Sequence, residues 1–148
     1  MKKLKVYLDN CCFNRPYDDQ SNITIKIETE AKLDIQNKIK RGVLDLVWSY
    51  ILDFENYKNP LIERKIEISK WRALSIDIVV ENDKILSKMN EIIKFGIKPL
   101  DSLHLSCAIY SKCDYFLTVD RGILNKTKKI NEIEILNPID VLYKLKEL

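Results

Sequence analysis

Short apolar runs alternate with helix-patterned segments along the whole chain, and few folds accommodate that alternation. The runs lie at about 4–8, 43–48, 76–80, 115–119 and 133–136 and read as strands. Between them the pattern predicts helices. Asn22 caps one over 23–41, where Ile23, Ile27, Ala31, Ile35 and Ile39 recur every four residues and Gly42 ends the run. Ser49 caps a short helix through Tyr57, and Asn59-Pro60 opens another to about Ala73. Asn82 caps a helix closed by Gly96, Pro99 opens one to about Ser111, a short helix follows Gly122, and Pro138 opens the last. Residues 10–21, with Pro16, Asp18, Asp19 and Ser21, read as a loop. Strands alternating with helices build βαβ units. The expectation is an α/β fold: a three-layer αβα arrangement around a mostly parallel sheet of about five strands.

The 148 residues, 46% hydrophobic and 32% charged, suit a single domain over 1–148 with a real core rather than a disordered chain. No apolar stretch approaches the roughly 20 residues of a membrane span. Asp9 interrupts any signal-peptide core, so a cytoplasmic protein is expected. Cys11, Cys12, Cys107 and Cys113 form no C-x-x-C, and His104 is the sole histidine, which leaves little support for zinc. The net charge of +3 permits nucleic-acid binding without requiring it.

Several chemistries fail at the level of motif. The turn after the first strand has no glycine, which removes dinucleotide and P-loop sites. A thiol phosphatase needs arginine six residues after its cysteine, but Tyr17 and Asp18 stand there. An aspartyl phosphotransferase wants a second aspartate where Cys11 lies. No G-x-S-x-G exists, and a receiver-type phosphoacceptor at Asp9 lacks its preceding acidic pair.

Four carboxylates remain. Asp9 and Asp120 end strands, where open α/β sheets bind ligands. Glu55 and Asp101 lie in helices entered from strand ends or turns. Each has a plainer reading: strand terminus for Asp9, turn residue for Asp120, dipole-matched first-turn acid for Asp101, exposed helix acid for Glu55. Asp53 and Glu63 compete with Glu55. Gathered together, two such carboxylates 4–6 Å apart repel by about 3–4 kcal/mol at an effective dielectric near 20. A divalent cation relieves that repulsion, and carboxylate oxygens suit Mg²⁺ or Mn²⁺. Thr118 shares a strand face with Asp120. His104, one turn beyond Asp101, either packs its helix or touches the site.

These acids stand in ordered segments: Val6-Tyr7-Leu8-Asp9-Asn10, Ser49-Tyr50-Ile51-Leu52-Asp53-Phe54-Glu55, Lys98-Pro99-Leu100-Asp101-Ser102-Leu103-His104, and Cys113-Asp114 through Asp120-Arg121. Their order and spacing over residues 4–136 resemble the PIN domain, the nuclease fold of VapC-type toxins and related ribonucleases. The resemblance implies a five-stranded parallel sheet and Mg²⁺- or Mn²⁺-dependent endoribonuclease activity. It carries the metal-binding acids onto Asp9, Glu55, Asp101 and Asp120, choosing Glu55 over its neighbours. Asn10 and Thr118 match accessory polar positions, and Asp114 a structural one. It further implies an antitoxin protein as partner and a homodimer. The long 10–22 connection departs from short toxins of this kind.

Arg15 and Arg121 follow site segments closely and are candidates for substrate phosphate. Lys38, Lys40 and Arg41, and Lys126, Lys128 and Lys129, form short basic runs that either bind RNA or face solvent. Trp48 and Trp71 either stack bases or fill the core. The alternative to an enzyme is a non-catalytic PIN-like module that binds RNA or protein.

Overall fold

A computed structural model describes residues 3–145. Its five strands, β1 (Lys5–Leu8), β2 (Asp45–Ser49), β3 (Asp77–Val79), β4 (Tyr115–Leu117) and β5 (Glu134–Leu136), form one parallel sheet in the order β3-β2-β1-β4-β5. β1 is central, with Val6 opposite Leu46 on one side and Tyr115 on the other. The chain runs outward to β3, then crosses back to place β4 against the other side of β1. The carboxyl ends of β1 and β4 therefore flank the point where strand order reverses, the position at which such sheets open a crevice.

The helices are α1 (Asn10–Asn14), α2 (Ile23–Lys40), α3 (Tyr50–Tyr57), α4 (Ile62–Leu74), α5 (Asp83–Ile93), α6 (Pro99–Tyr110), α7 (Arg121–Lys126) and α8 (Pro138–Leu145). α2 packs on α8, while α6 packs on α5 and α3, so helices cover both sheet faces. Val6, Tyr7, Leu8, Leu46, Val47, Phe116 and Leu117 make the sheet's buried centre. Central strands buried on both faces read as continuous apolar runs, which is why these segments stood out in the sequence. Among the described residues no helix is long and apolar enough to cross a membrane.

Caps set most boundaries as expected. Asn22, Ser49 and Asn82 accept the backbone N–H groups of Ile25, Leu52 and Ile85. Gly42 and Gly96 take positive φ after α2 and α5. Three expectations change. The segment after Asp9 is helical: Asp9 caps α1, whose Cys12 and Phe13 bury into the core, and a 3-10 turn over Arg15–Tyr17 follows. Pro60 stays outside α4, because Asn59 Oδ1 accepts the Leu61 N–H at 3.2 Å in a local turn and delays the helix to Ile62. Along α2, Ala31, Ile35 and Ile39 are buried, whereas Ile23 and Ile27 are exposed because the helix's first turns overhang the core.

Candidate functional site

Asp9 lies immediately after β1, yet its backbone continues the sheet: its N–H donates to Leu117 O at 2.9 Å. The carboxylate is buried and held on both oxygens. Oδ1 accepts the Asn10 N–H at 2.8 Å, and Oδ2 accepts the Thr118 hydroxyl at 2.8 Å and the Cys11 thiol at 3.3 Å. Thr118 Oγ1 in turn accepts the Asp120 N–H at 3.1 Å. One hydroxyl thus ties the Asp9 carboxylate to the backbone of Asp120, which lies three residues beyond β4 rather than at its end as the sequence suggested.

Asp120 is exposed and caps α7, its Oδ1 accepting from Gly122 N at 2.8 Å and Ile123 N at 3.2 Å. A Cβ on residue 122 would lie 3.0 Å from that same oxygen, so glycine gives the cap its room.

Asp101 sits in the first turn of α6, which Pro99 opens. Its pKa is pushed up to about 6, first by burial and then by the charges of Asp9, Asp120 and Glu55, against an opposing effect of His104. The four carboxylates named from the sequence therefore lie close enough to act on one another electrostatically. Asp101 and Asp120 line one side of a pocket of about 240 Å³, with Lys98 and Lys126 beside them.

Glu55 reaches the site from α3. Oε2 accepts Asn10 Nδ2 at 3.1 Å, and Oε1 bonds His104 Nε2. Its competitors have other partners: Asp53 accepts Trp48 Nε1 at 2.7 Å and Arg72 Nε at 3.1 Å, and Glu63 borders a separate cleft with Tyr17 and Leu61. Glu55, Asn10, Lys58 and Arg64 share a second opening of about 190 Å³.

His104 is fully buried, as helix packing predicts, and it also meets the site: Nε2 is 3.9 Å from Asp9 Oδ1 besides its bond to Glu55. Burial pushes its pKa down, but the Glu55 hydrogen bond and the charges of Asp9, Glu55 and Asp101 outweigh that and raise it. Cys11 is an unforeseen neighbour, its thiol lying between Asp9 and Thr118 at 3.3 and 3.4 Å. Nothing but its position two residues past Asp9 signalled this.

The basic residues divide differently from the sequence expectation. Arg15 is committed to Glu28 at 2.7 Å and Asp18 at 3.0 Å, so its guanidinium braces α2 rather than standing free for phosphate. Arg121 is exposed at the first residue of α7. Lys38 pairs with Asp34 at 2.7 Å, and Lys40 lies over the Trp71 ring. Trp48 is core, edge-on to Phe13, and unavailable to a base. Lys58 and Arg64, which no motif marked, and Lys98, which opens the segment around Asp101 but was not singled out as a phosphate candidate, border the acidic openings.

Among the described residues no three carboxylate, imidazole or thiol donors converge tightly enough to hold a metal ion unaided. The donor chemistry still fits a hard cation: the group is rich in carboxylate oxygens, and the charges of Asp9, Asp120 and Glu55 add to burial in raising the Asp101 pKa. Mg²⁺ commonly keeps several waters and takes only one or two carboxylates directly, so the spacing and the ion are compatible.

The five-stranded parallel sheet between helical layers is a three-layer αβα fold of PIN-like type. Among solved structures, the chain is similar to a chain in the crystal structure of VapBC2 from Rickettsia felis bound to a DNA fragment from their promoter. The match has a TM-score of 0.55 and 14% identity, covering 90% of this chain and 98% of that one, a likeness of fold. No family model matches the chain. No curated protein matches it either.

Proposed function

We propose that this protein is a divalent-metal-dependent endoribonuclease that hydrolyses RNA phosphodiester bonds. The observation that carries the reading is Asp101: its carboxyl is held at about 6 partly by three other acids that come from separate elements yet gather at the sheet's switch point. A fold that concentrates like charge at a crevice gains stability when a cation enters. Mg²⁺ or Mn²⁺ bound there supplies a water of lowered pKa and neutralises charge on the scissile phosphate.

The chain's own residues have distinct parts in this scheme. Asp9, Asp101 and Asp120 hold the ion, directly or through its waters. Thr118 keeps Asp9 and Asp120 in register through its two hydrogen bonds. Glu55 orients the attacking water, and Asn10 steadies Glu55. Lys98, Lys126 and Arg121 attract the phosphate backbone from the Asp101–Asp120 side. Lys58 and Arg64 do so from the Glu55 side.

The fold's likeness to a chain of the VapBC2 complex is in keeping with a toxin–antitoxin role. The PIN resemblance of the sequence supplies the rest of that reading, an antitoxin protein as partner and a homodimer acting in the cytoplasm. A small neighbouring gene for a DNA-binding protein would be the first sign of that partner.

The direct test incubates the protein with a mixed RNA pool and Mg²⁺ or Mn²⁺. Cleavage should require metal and vanish in Asp9→Asn and Asp101→Asn. Equal cleavage by wild type and both variants would point to a contaminant and sink the reading. The alternative is a non-catalytic PIN-like module that binds RNA or protein. That module would bind RNA without cutting it, and its melting temperature would not rise in millimolar Mn²⁺.

A further inference from the structure

A buried line of polar groups runs from the core into the acidic site. Ser49 Oγ accepts the Leu52 N–H at 3.3 Å. The Tyr7 hydroxyl lies 2.6 Å from Ser49 Oγ and 2.6 Å from His104 Nδ1. At its far end, His104 Nε2 bonds Glu55 Oε1. Ser49, Tyr7 and His104 are all fully buried.

The inventory of donors gives the line a direction. An ionised carboxylate only accepts, so Nε2 must carry a proton. In the neutral ring Nδ1 is bare, and then Tyr7 donates to it, Ser49 donates to Tyr7, and Leu52 N–H donates to Ser49. Each member then accepts from behind and donates forward, and no polar group along it is wasted. Packing locks the geometry: Tyr7 stacks on Phe116 at 5.4 Å and 10°, and meets the imidazole edge-on at 5.7 Å. A residue serving the core alone would be cheaper as an apolar side chain, because burying an imidazole and a phenol requires that both be satisfied.

We infer that His104, braced by Tyr7, is a positioning residue that fixes the Glu55 carboxylate and acts on the reaction through it. This rests on the nuclease reading, under which Glu55 orients water. Asn10 holds one Glu55 oxygen and His104 the other, so together they set the carboxylate plane. An oriented outer partner of this type is commonly worth about 10–100-fold in activity.

His104 is the sole histidine, so its two ring-nitrogen NMR signals are unambiguous. In wild-type protein Nε2 should be protonated, and its shift should move in Glu55→Ala. An unprotonated Nε2, or a shift indifferent to that substitution, overturns the inference whether or not the protein cuts RNA. Kinetics with Mn²⁺ and an RNA substrate give the second arm. His104→Gln places an amide donor where Nε2 was, whereas His104→Asn places it near Nδ1 and leaves Glu55 without it. His104→Asn should lose about 10–100-fold in kcat with KM changed less than about twofold, and His104→Gln should recover most of the loss. Folded His104→Asn protein, checked by thermal unfolding, that cuts like wild type would overturn the inference. Should His104→Asn fail to fold, the ring-nitrogen signals of wild type and Glu55→Ala still decide. If wild type cuts nothing, the nuclease reading fails, while those signals still report whether His104 holds Glu55.

Discussion

Thr118 donates its hydroxyl to Asp9 Oδ2 at 2.8 Å, joining the end of β4 to the end of β1 through a buried side-chain bond. Because the same oxygen accepts the Asp120 N–H, Thr118→Val would leave a buried carboxylate short of a donor and a backbone N–H short of an acceptor. Destabilisation of about 1–3 kcal/mol is expected by denaturant unfolding. Cleavage should fall with it, and Thr118→Ser, which keeps the hydroxyl, should restore most of both. A valine variant as stable as wild type would mean that the bond contributes nothing net.

Asp101→Asn separates electrostatic cost from function. The wild-type carboxyl carries a pKa near 6 because its charge is disfavoured by burial and by three acids. Removing that charge should stabilise the metal-free protein at pH 7. The group is only partly buried, so solvent screening cuts the gain to about 1 kcal/mol rather than the full linkage value. The same variant should lose most of the rise in melting temperature that Mn²⁺ gives wild type. A calorimetric scan of both proteins, each with and without Mn²⁺, measures the two effects at once. Metal-free destabilisation would contradict the account.

The two raised pKa values also fix how metal-free stability depends on pH. A carboxyl raised in the folded state favours folding while protonated, so the Asp101 contribution is lost as pH climbs from its unfolded value through about 6. A raised imidazole favours folding while charged, so the His104 contribution is complete below the ordinary histidine range and disappears as pH passes through its folded pKa. Both slopes have the same sign. Metal-free protein should therefore melt at a lower temperature at pH 8 than at pH 5, with a shallower decline in Asp101→Asn. Saturating Mn²⁺ should flatten the curve further, because the cation takes over the charge that protons had balanced. A melting temperature that rises over this interval would contradict the assigned directions.

Much of this was legible in the sequence, for reasons that differ by element. β1 and β4 are buried on both faces, so their apolar runs and the acids ending them were plain. Asn22, Ser49 and Asn82 announced helices because an N-cap is a local interaction. α1 was missed because the turn formers at Pro16–Ser21 dominated the reading, while Asp9 was read as a site acid and not also as a cap. Glu55 and Asp53 differ by about half a helical turn, and only the placement of α3 against α6 sends Glu55 to His104 and Asp53 to Trp48 and Arg72. That is tertiary information, absent from periodicity. The same holds for Arg15, whose partner Glu28 lies a turn and a helix away.

That rearrangement of the basic residues yields a prediction with opposite outcomes at two positions. Arg15 bonds Glu28, whose side chain is almost fully buried and whose other oxygen accepts Asn137 Nδ2 at 2.5 Å. Arg15→Ala strands that carboxylate and should cost about 2 kcal/mol in stability, with little change in RNA affinity where the protein remains folded. Lys98 borders the pocket that Asp101 and Asp120 line, without being needed to hold a buried acid. Lys98→Ala should leave stability within about 0.5 kcal/mol of wild type and weaken RNA binding. It should also reduce the salt dependence of affinity by about 0.7 in log–log slope if Lys98 meets one phosphate of a single strand. Titrating Asp101→Asn protein, which should bind but not cut, with labelled RNA at several salt concentrations gives the slope without cleavage. An Arg15→Ala effect on the slope equal to that of Lys98→Ala would return Arg15 to the phosphate path and remove the structural role assigned to it.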